Sequence, residues 1–221
     1  MAKPALLSEV PFGAWLVYSP RGASEVAARS RNLTYWIKQD KIPEGSTEPT
    51  SRQLARELRA RIGGTGLDDF LNPEVALVPV PRSSLTKRGS LWPPARLCDA
   101  LVAEGLGRVV VPCLDRTAPM RRSAGSPPGT RPSPLEHERS MQVTDRVTLA
   151  DAPAITLVDD VVTKGSQLLS AASLVHDAFP RAVIRGFAFV RTLGLVTDIA
   201  RVIEPCVGTI RLVGSGAVRT P

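Results

Sequence analysis

Ile155-Thr156-Leu157-Val158-Asp159-Asp160-Val161-Val162-Thr163-Lys164-Gly165-Ser166-Gln167 is the most informative stretch of this 221-residue chain. Ile155 to Val158 is a short apolar run of the kind buried on both faces of a parallel sheet. Its C-terminal end delivers two adjacent carboxylates, Asp159 and Asp160. A short turn containing hydroxyl and glycine residues follows. A helix is then expected from about Ser166 to Ala178, with Leu168, Ala172 and Val175 on one face. In open α/β sheets ligands bind outside the carboxyl ends of the strands. A helix N-terminus with free backbone N–H groups is an anion site, and Gly165 is expected to let a phosphate approach the backbone closely. The acids would repel an anion, so they should face sugar hydroxyls or a divalent cation. Together these features call for a phosphorylated sugar.

Outward from that stretch the pattern repeats. Val75 to Val80, Val109 to Cys113 and Ala182 to Val190 read as buried strands, and Val202 to Val207 and Ile210 to Val213 as candidate edge strands. A helix opens at Pro93-Pro94 with Leu97, Leu101 and Val102 on its stripe. Alternating strands and helices predict an α/β fold, a mainly parallel sheet flanked by helices. Residues 1–72 hold a strand, Phe12 to Tyr18, and two helices. Ala23, Val26, Ala27, Ser30, Leu33, Thr34 and Ile37 mark the first helix. Thr50 and Gln53 give the second a capping-box signature, and Gly63-Gly64 ends it. The whole span, 1–221, reads as a single domain.

One segment breaks the rhythm. Residues 114–146 show no apolar periodicity and contain the Pro-rich run Ser126 to Pro134. A loop this long is a lid, a binding loop or a disordered insert. It carries Arg116, Arg121, Arg122, Arg131 and Arg139. His137, also within it, is either a general acid–base or, more simply, a surface histidine.

At the two-acid stretch the sequence resembles the type I phosphoribosyltransferases. Their fingerprint is an apolar strand, two acids, two apolar residues and a T-x-G-x-T-like loop. The resemblance implies that Asp159 and Asp160 hold the ribose hydroxyls of phosphoribosyl pyrophosphate and that Thr163, Lys164, Gly165, Ser166 and Gln167 wrap its 5′-phosphate. Lys164 stands where a hydroxyl residue is usual, Gln167 replaces the final Thr or Ser, and Thr163 occupies the position of the purine-salvage enzymes' catalytic acid. Val78-Pro79-Val80-Pro81 followed by Arg82, Lys87, Arg88 and Gly89 resembles the ComF-like (competence protein F) branch. So do Phe187 to Thr192, Tyr18-Ser19-Pro20 and Trp36-Ile37-Lys38, so that the similarity spans roughly residues 12–192. That branch's N-terminal Cys-rich zinc module is missing, and its usual "RGFNQ" reads Arg88-Gly89-Ser90-Leu91-Trp92.

The resemblance implies a reaction in which a nitrogenous acceptor displaces pyrophosphate from the ribose. Arg82, Ser83 and Ser84 would bind the pyrophosphate. Arg82, Lys87 and Arg88 would stabilise it as it leaves, and Arg121, Arg122 and Arg139 would join them from a flexible hood loop over 114–146. Mg²⁺ would be held mainly by the substrate's oxygens and water, with Asp159 and Asp160 the only candidate side chains. Two alternatives stand beside this reading. One is a non-catalytic phosphoribosyl-binding regulatory module, and the other is a ComF-like accessory protein for DNA uptake.

Composition bounds these readings. The net charge is +7, from 28 Lys and Arg against 21 Asp and Glu, and 23 of the 28 are arginine. Such a balance speaks of partners, not of fold. Nucleic acid is therefore a candidate partner through the basic N-terminal helices, although the chain has no run of five consecutive basic residues. Cys98, Cys113 and Cys206 are odd in number and never form CxxC, which argues against a disulfide framework or a zinc ribbon. No apolar run approaches the ~18 residues of a membrane helix. Residues 1–10 lack the apolar core of a secretory signal, so the cytoplasm is the expected compartment. A homodimer is one candidate assembly.

Overall fold

A computed structural model describes residues 6–85, 89–121, 131–145, 148–149, 151–194, 196 and 198–221. Lys87, Arg88 and Arg122 lie outside the described residues. The elements in chain order are β1 (Glu9–Tyr18), α1 (Glu25–Gln39), α2 (Thr50–Arg61), β2 (Ala76–Pro79), α3 (Pro93–Ala103), β3 (Val109–Val110), β4 (Leu114–Arg116), α4 (Pro134–Arg139), β5 (Met141–Val143), β6 (Ala154–Val162), α5 (Ser166–Ala178), β7 (Val183–Thr192), β8 (Ile203–Val213) and β9 (Gly216–Thr220). Seven strands form one sheet in the order β3-β2-β6-β7-β1-β8-β9. The first five are mutually parallel, and β8 and β9 continue the sheet antiparallel beyond β1. The expected mainly parallel α/β architecture is therefore present.

Two helical layers cover the sheet, as the apolar runs of its strands require. On one face Ile37, Leu54, Leu58, Leu97 and Leu101 from α1–α3 meet Trp15, Leu77, Val158, Phe187 and Phe189. On the other, Leu168, Leu169, Ala172 and Val175 from α5 meet Val10, Phe12, Val78 and Leu157. On β6 the neighbours Leu157 and Val158 face opposite layers, while on β1 a register shift between Ala14 and Leu16 puts both Trp15 and Leu16 with the α1–α3 layer. Among the described residues no helix is long and apolar enough to cross a membrane.

Four expectations need correction. The 114–146 segment is not wholly irregular: β4 and β5 pair antiparallel, and α4 sits between them behind a capping box of Ser133 and Glu136. Their three and six residues are too few to display a period. Thr50 and Gln53 do not cap α2, whose N-cap is Pro49. The Thr50 hydroxyl instead donates to the Lys41 carbonyl, and the Gln53 amide donates to Ser46 and Glu48, tying down the preceding loop. The two candidate edge strands near the C-terminus are one continuous strand, β8, and β9 was not foreseen. Finally, the strand expected over Val109 to Cys113 pairs only at Val109–Val110, although Val111 and Cys113 remain buried.

Gly186, on β7, leaves room for Leu168 of α5. A Cβ there would stand 2.5 Å from Leu168 Cδ2 and 2.9 Å from its Cγ. Gly186→Ala is expected to lower stability by about 1–3 kcal/mol in urea melts, the usual cost of overpacking. A cycle with Leu168→Ala should be non-additive, because the added methyl fits once Leu168 is shortened.

Candidate functional site

The site follows from the strand order. β2 and β6 are neighbours, and the Val80 N–H donates to the Val158 carbonyl at 2.9 Å just past the end of β2. Beyond it the chains part. From β2 the chain runs through α3 to β3 on one side, and from β6 through α5 to β7 on the other. A crevice opens where two parallel strands send their connections in opposite directions, and ligands bind there in open α/β sheets. The loops above β2 and β6, at residues 81–85 and 163–167, flank this crevice. They are linked by the Gln167 side-chain amide, whose Nε2 donates to the Pro81 carbonyl at 2.6 Å. The Trp92 indole holds the same loop from below through the Val80 carbonyl, at 2.9 Å.

β6 runs on to Val162, so the acid pair lies within its last turns rather than after it. Asp159 is buried and Asp160 half-buried. The Asp159 Oδ1 accepts the Asp160 N–H at 2.9 Å, and the Asp160 Oδ1 accepts the Val161 N–H at 2.9 Å. Asp160 Oδ2 pairs with the Lys38 ammonium at 3.0 Å. Burial, and then the adjacent Asp160 charge, push the Asp159 carboxyl well above its ordinary range, with Lys38 opposing. Lys38 reaches this pair from the last turn of α1. Its role as a partner of Asp160 was not foreseen, because a lysine off the apolar stripe of a helix reads as solvated.

The 163–167 loop enters α5 through its N-cap Gly165, which is left-handed at φ 90° and has no side chain of its own to cap the first-turn N–H groups. The expected reason for this glycine needs refinement. A Cβ there would lie 2.6 Å from Ile210 Cδ1, so that side of the loop is filled by β8 and a ligand must come from the other. Lys164 is exposed, and Thr163, Ser166 and Gln167 are half-buried.

In the 81–85 loop, Arg82 is turned back so that its Nη1 donates to the Leu91 carbonyl at 2.6 Å. Ser83 is half-buried and Ser84 exposed. The loop is anchored by a residue outside the predicted set. Arg116, on β4 and 5% exposed, donates from Nε to the Arg82 carbonyl at 2.9 Å and from Nη1 to the Ser140 hydroxyl at 2.6 Å. Its Nη2 finds no hydrogen-bond partner among the described residues. Burial lowers its pKa to about 10, against the attraction of Asp159. The Met120 N–H donates to the Ser83 carbonyl at 2.7 Å, which brings the start of the basic segment to the loop. Arg121 there pairs with Glu136 at 3.4 Å, and Arg139 is exposed on α4. His137 is 1% exposed, not a surface histidine, and neither ring nitrogen has a hydrogen-bond partner among the described residues. Burial, and then the Arg116 charge, lower its pKa to about 4, so it is neutral near pH 7.

No group of three or more metal-ligating side chains occurs among the described residues. A cleft of about 190 Å³ lies elsewhere, between α1, α2 and α3, lined by Asp40, Arg52, Arg96 and Asp99. It is smaller than the usual ligand pocket and has no strand end at its mouth.

No protein-family model matches the chain, and no curated protein does. Among solved structures it is similar to an adenine phosphoribosyltransferase, at 18% identity and TM-score 0.37, covering 77% of this chain and 98% of that one. It is also similar to a hypoxanthine phosphoribosyltransferase from Trypanosoma cruzi in a ternary substrates complex, at 14% identity and TM-score 0.35, covering 77% and 92%. A glutamic acid mutant from an analysis of an invariant aspartic acid in HPRTs gives 16% identity and TM-score 0.33, covering 75% and 84%.

The buried acid has a consequence for stability. With its pKa raised in the folded state, the native protein holds a proton that the unfolded chain releases near pH 3.9. Asp159 therefore lowers stability as pH rises from that value through the folded pKa. Asp159→Asn keeps the acceptor for the Asp160 N–H and removes the buried charge. It is expected to raise Tm at pH 7, by about 2–4 °C per kcal/mol relieved, with little change near pH 3. Thermal melts across pH 3–8 check this, and a lower Tm at pH 7 would contradict it.

Proposed function

We propose that the chain binds phosphoribosyl pyrophosphate, with Mg²⁺, in the crevice at the ends of β2 and β6 and transfers the phosphoribosyl group to a nitrogenous acceptor, releasing pyrophosphate. The observation that carries this reading is the convergence at one switch point of an acid pair, an uncapped helix N-terminus and a second loop tied across the crevice by Gln167. In this reading Asp159 and Asp160 accept the ribose hydroxyls, and Thr163–Gln167 and the first turn of α5 take the 5′-phosphate. The 81–85 loop takes the pyrophosphate, with Lys87, Arg88, Arg121, Arg122 and Arg139 as its further cations.

The bond from the anomeric carbon to a pyrophosphate oxygen breaks, and its electron pair leaves with the pyrophosphate. The acceptor nitrogen forms the new bond and sheds its proton to solvent or to a base. The protein's part is positioning and electrostatic: fixed donors and cations meet the charge that grows on the leaving group. The acid pair suits Mg²⁺ held through substrate oxygens and water. Three of its carboxylate oxygens already accept protein N–H groups or the Lys38 ammonium, so direct ligation by the pair would break these contacts. Bound in that way, the ion would neutralise pyrophosphate charge.

Two features favour a second reading, a binding module without turnover. Thr163 stands where the purine-salvage enzymes carry a catalytic acid, and the Arg82 guanidinium is engaged by the Leu91 carbonyl. Calorimetry with magnesium phosphoribosyl pyrophosphate is expected to show binding, weakened by about 1–3 kcal/mol in Asp160→Asn, the scale of a hydrogen bond to a charged group. Unchanged affinity in that variant would remove the ribose assignment. Pyrophosphate release across a panel of nucleobases and amines separates the two readings, since binding without release at any acceptor supports the module.

A further inference from the structure

We infer that Arg219, on β9, is the positioning residue of the phosphate loop, and that the β8–β9 hairpin holds that loop in its anion-binding geometry. The inference rests on the reading of Thr163–Gln167 as the phosphate loop. Arg219 donates from Nε to the Thr163 carbonyl and from Nη2 to the Thr192 carbonyl, each at 2.9 Å. Its guanidinium carbon stands 5.6 Å from the centre of the Phe12 ring, which braces it. One side chain thus ties the chain just past the end of β6 to the last residue of β7.

The consequence lies in the peptide planes. In a trans peptide the carbonyl and the following N–H point in opposite directions. Drawing the Thr163 carbonyl toward Arg219 therefore turns the Lys164 N–H away from it. Two residues on, Gly165 rests against Ile210, whose Cδ1 lies 2.6 Å from the position a Cβ would take. Ile210 and Arg219 are direct partners across the hairpin. Cross-strand partners project from the same face. A single rung of the hairpin thus supports the loop at Thr163 and at Gly165, and leaves the opposite side of the loop for the ligand. Arginine suits this position because its planar fork reaches two carbonyls at once, which a lysine ammonium cannot do in the same geometry.

The test uses the full chain and separates loop from fold. Ribose 5-phosphate probes the phosphate loop, and pyrophosphate probes the 81–85 loop, which Arg116 anchors from β4 independently of the hairpin. Arg219→Gln is expected to lose about tenfold or more in ribose 5-phosphate affinity, to keep pyrophosphate affinity, and to speed amide exchange at residues 164–168 without ligand. Arg219→Lys should recover only part of the loss. Equal losses for both probes, or unchanged exchange at 164–168, would overturn the inference. A wild-type chain that binds no ribose 5-phosphate overturns the functional reading instead, and the exchange measurement still decides whether Arg219 positions the loop.

Discussion

Everything at the candidate site depends on one rung of the sheet, the hydrogen bond from the Val80 N–H to the Val158 carbonyl. It holds β2 beside β6 at the level where their continuations diverge, and so creates an opening that no side chain of either strand needs to fill. The rung is possible because both strands are apolar on both faces and find a helical layer on each side. Asp159 immediately follows the rung on β6, and Pro81 follows it on β2. The Gln167 amide then closes on the Pro81 carbonyl, which makes the spacing between the two loops a property of the sheet and not of loop dynamics.

That geometry places a carboxyl where the sheet would otherwise carry another apolar residue. Asp159 accepts a backbone N–H and has two cations within electrostatic reach, Lys38 and Arg116, yet burial outweighs them and its pKa stays raised. A group held this way costs stability in the fold. Local rules broken at one point while the surroundings obey them mark a functional site more clearly than the residue types do. Lys38 sharpens the point: it leaves α1 to reach Asp160, so the N-terminal helices share in the site's electrostatics as well as packing on the sheet.

The legible parts of the molecule were those with a strong period or a strong boundary. The apolar runs of β2, β6 and β7, the stripe of α5 and the turn at Gly165 each carry a local physical signature, and the sheet order then brings two predicted loops together. What escaped were contacts that no period announces. Arg116 sits in a three-residue strand whose partner lies about 25 residues away, and a lone arginine there reads as solvated. His137 looks polar and loop-borne, yet it sits on α4 and is buried there. β9 follows β8 after only Gly214 and Ser215, and its alternation, Ala217 inward and Val218 outward, is too short to separate from a tail. Thr50 and Gln53 had the right spacing for a capping box, but the loop before α2 offered them better-placed carbonyls.

The arginine excess takes a different meaning once the contacts are traced. Arg31 donates to the Ser19 and Gly22 carbonyls, Arg82 to Leu91, Arg116 to Arg82, and Arg219 to Thr163 and Thr192. Each donates to carbonyls of an irregular segment or of a strand's last residue, where the ladder supplies few partners. A guanidinium has five donors in a fixed plane and stays charged when half-buried, so it can satisfy two such carbonyls at once. Part of the positive charge is thus structural, distributed beneath the loops it shapes. The same side chains set positive charge beneath the loops that flank the crevice.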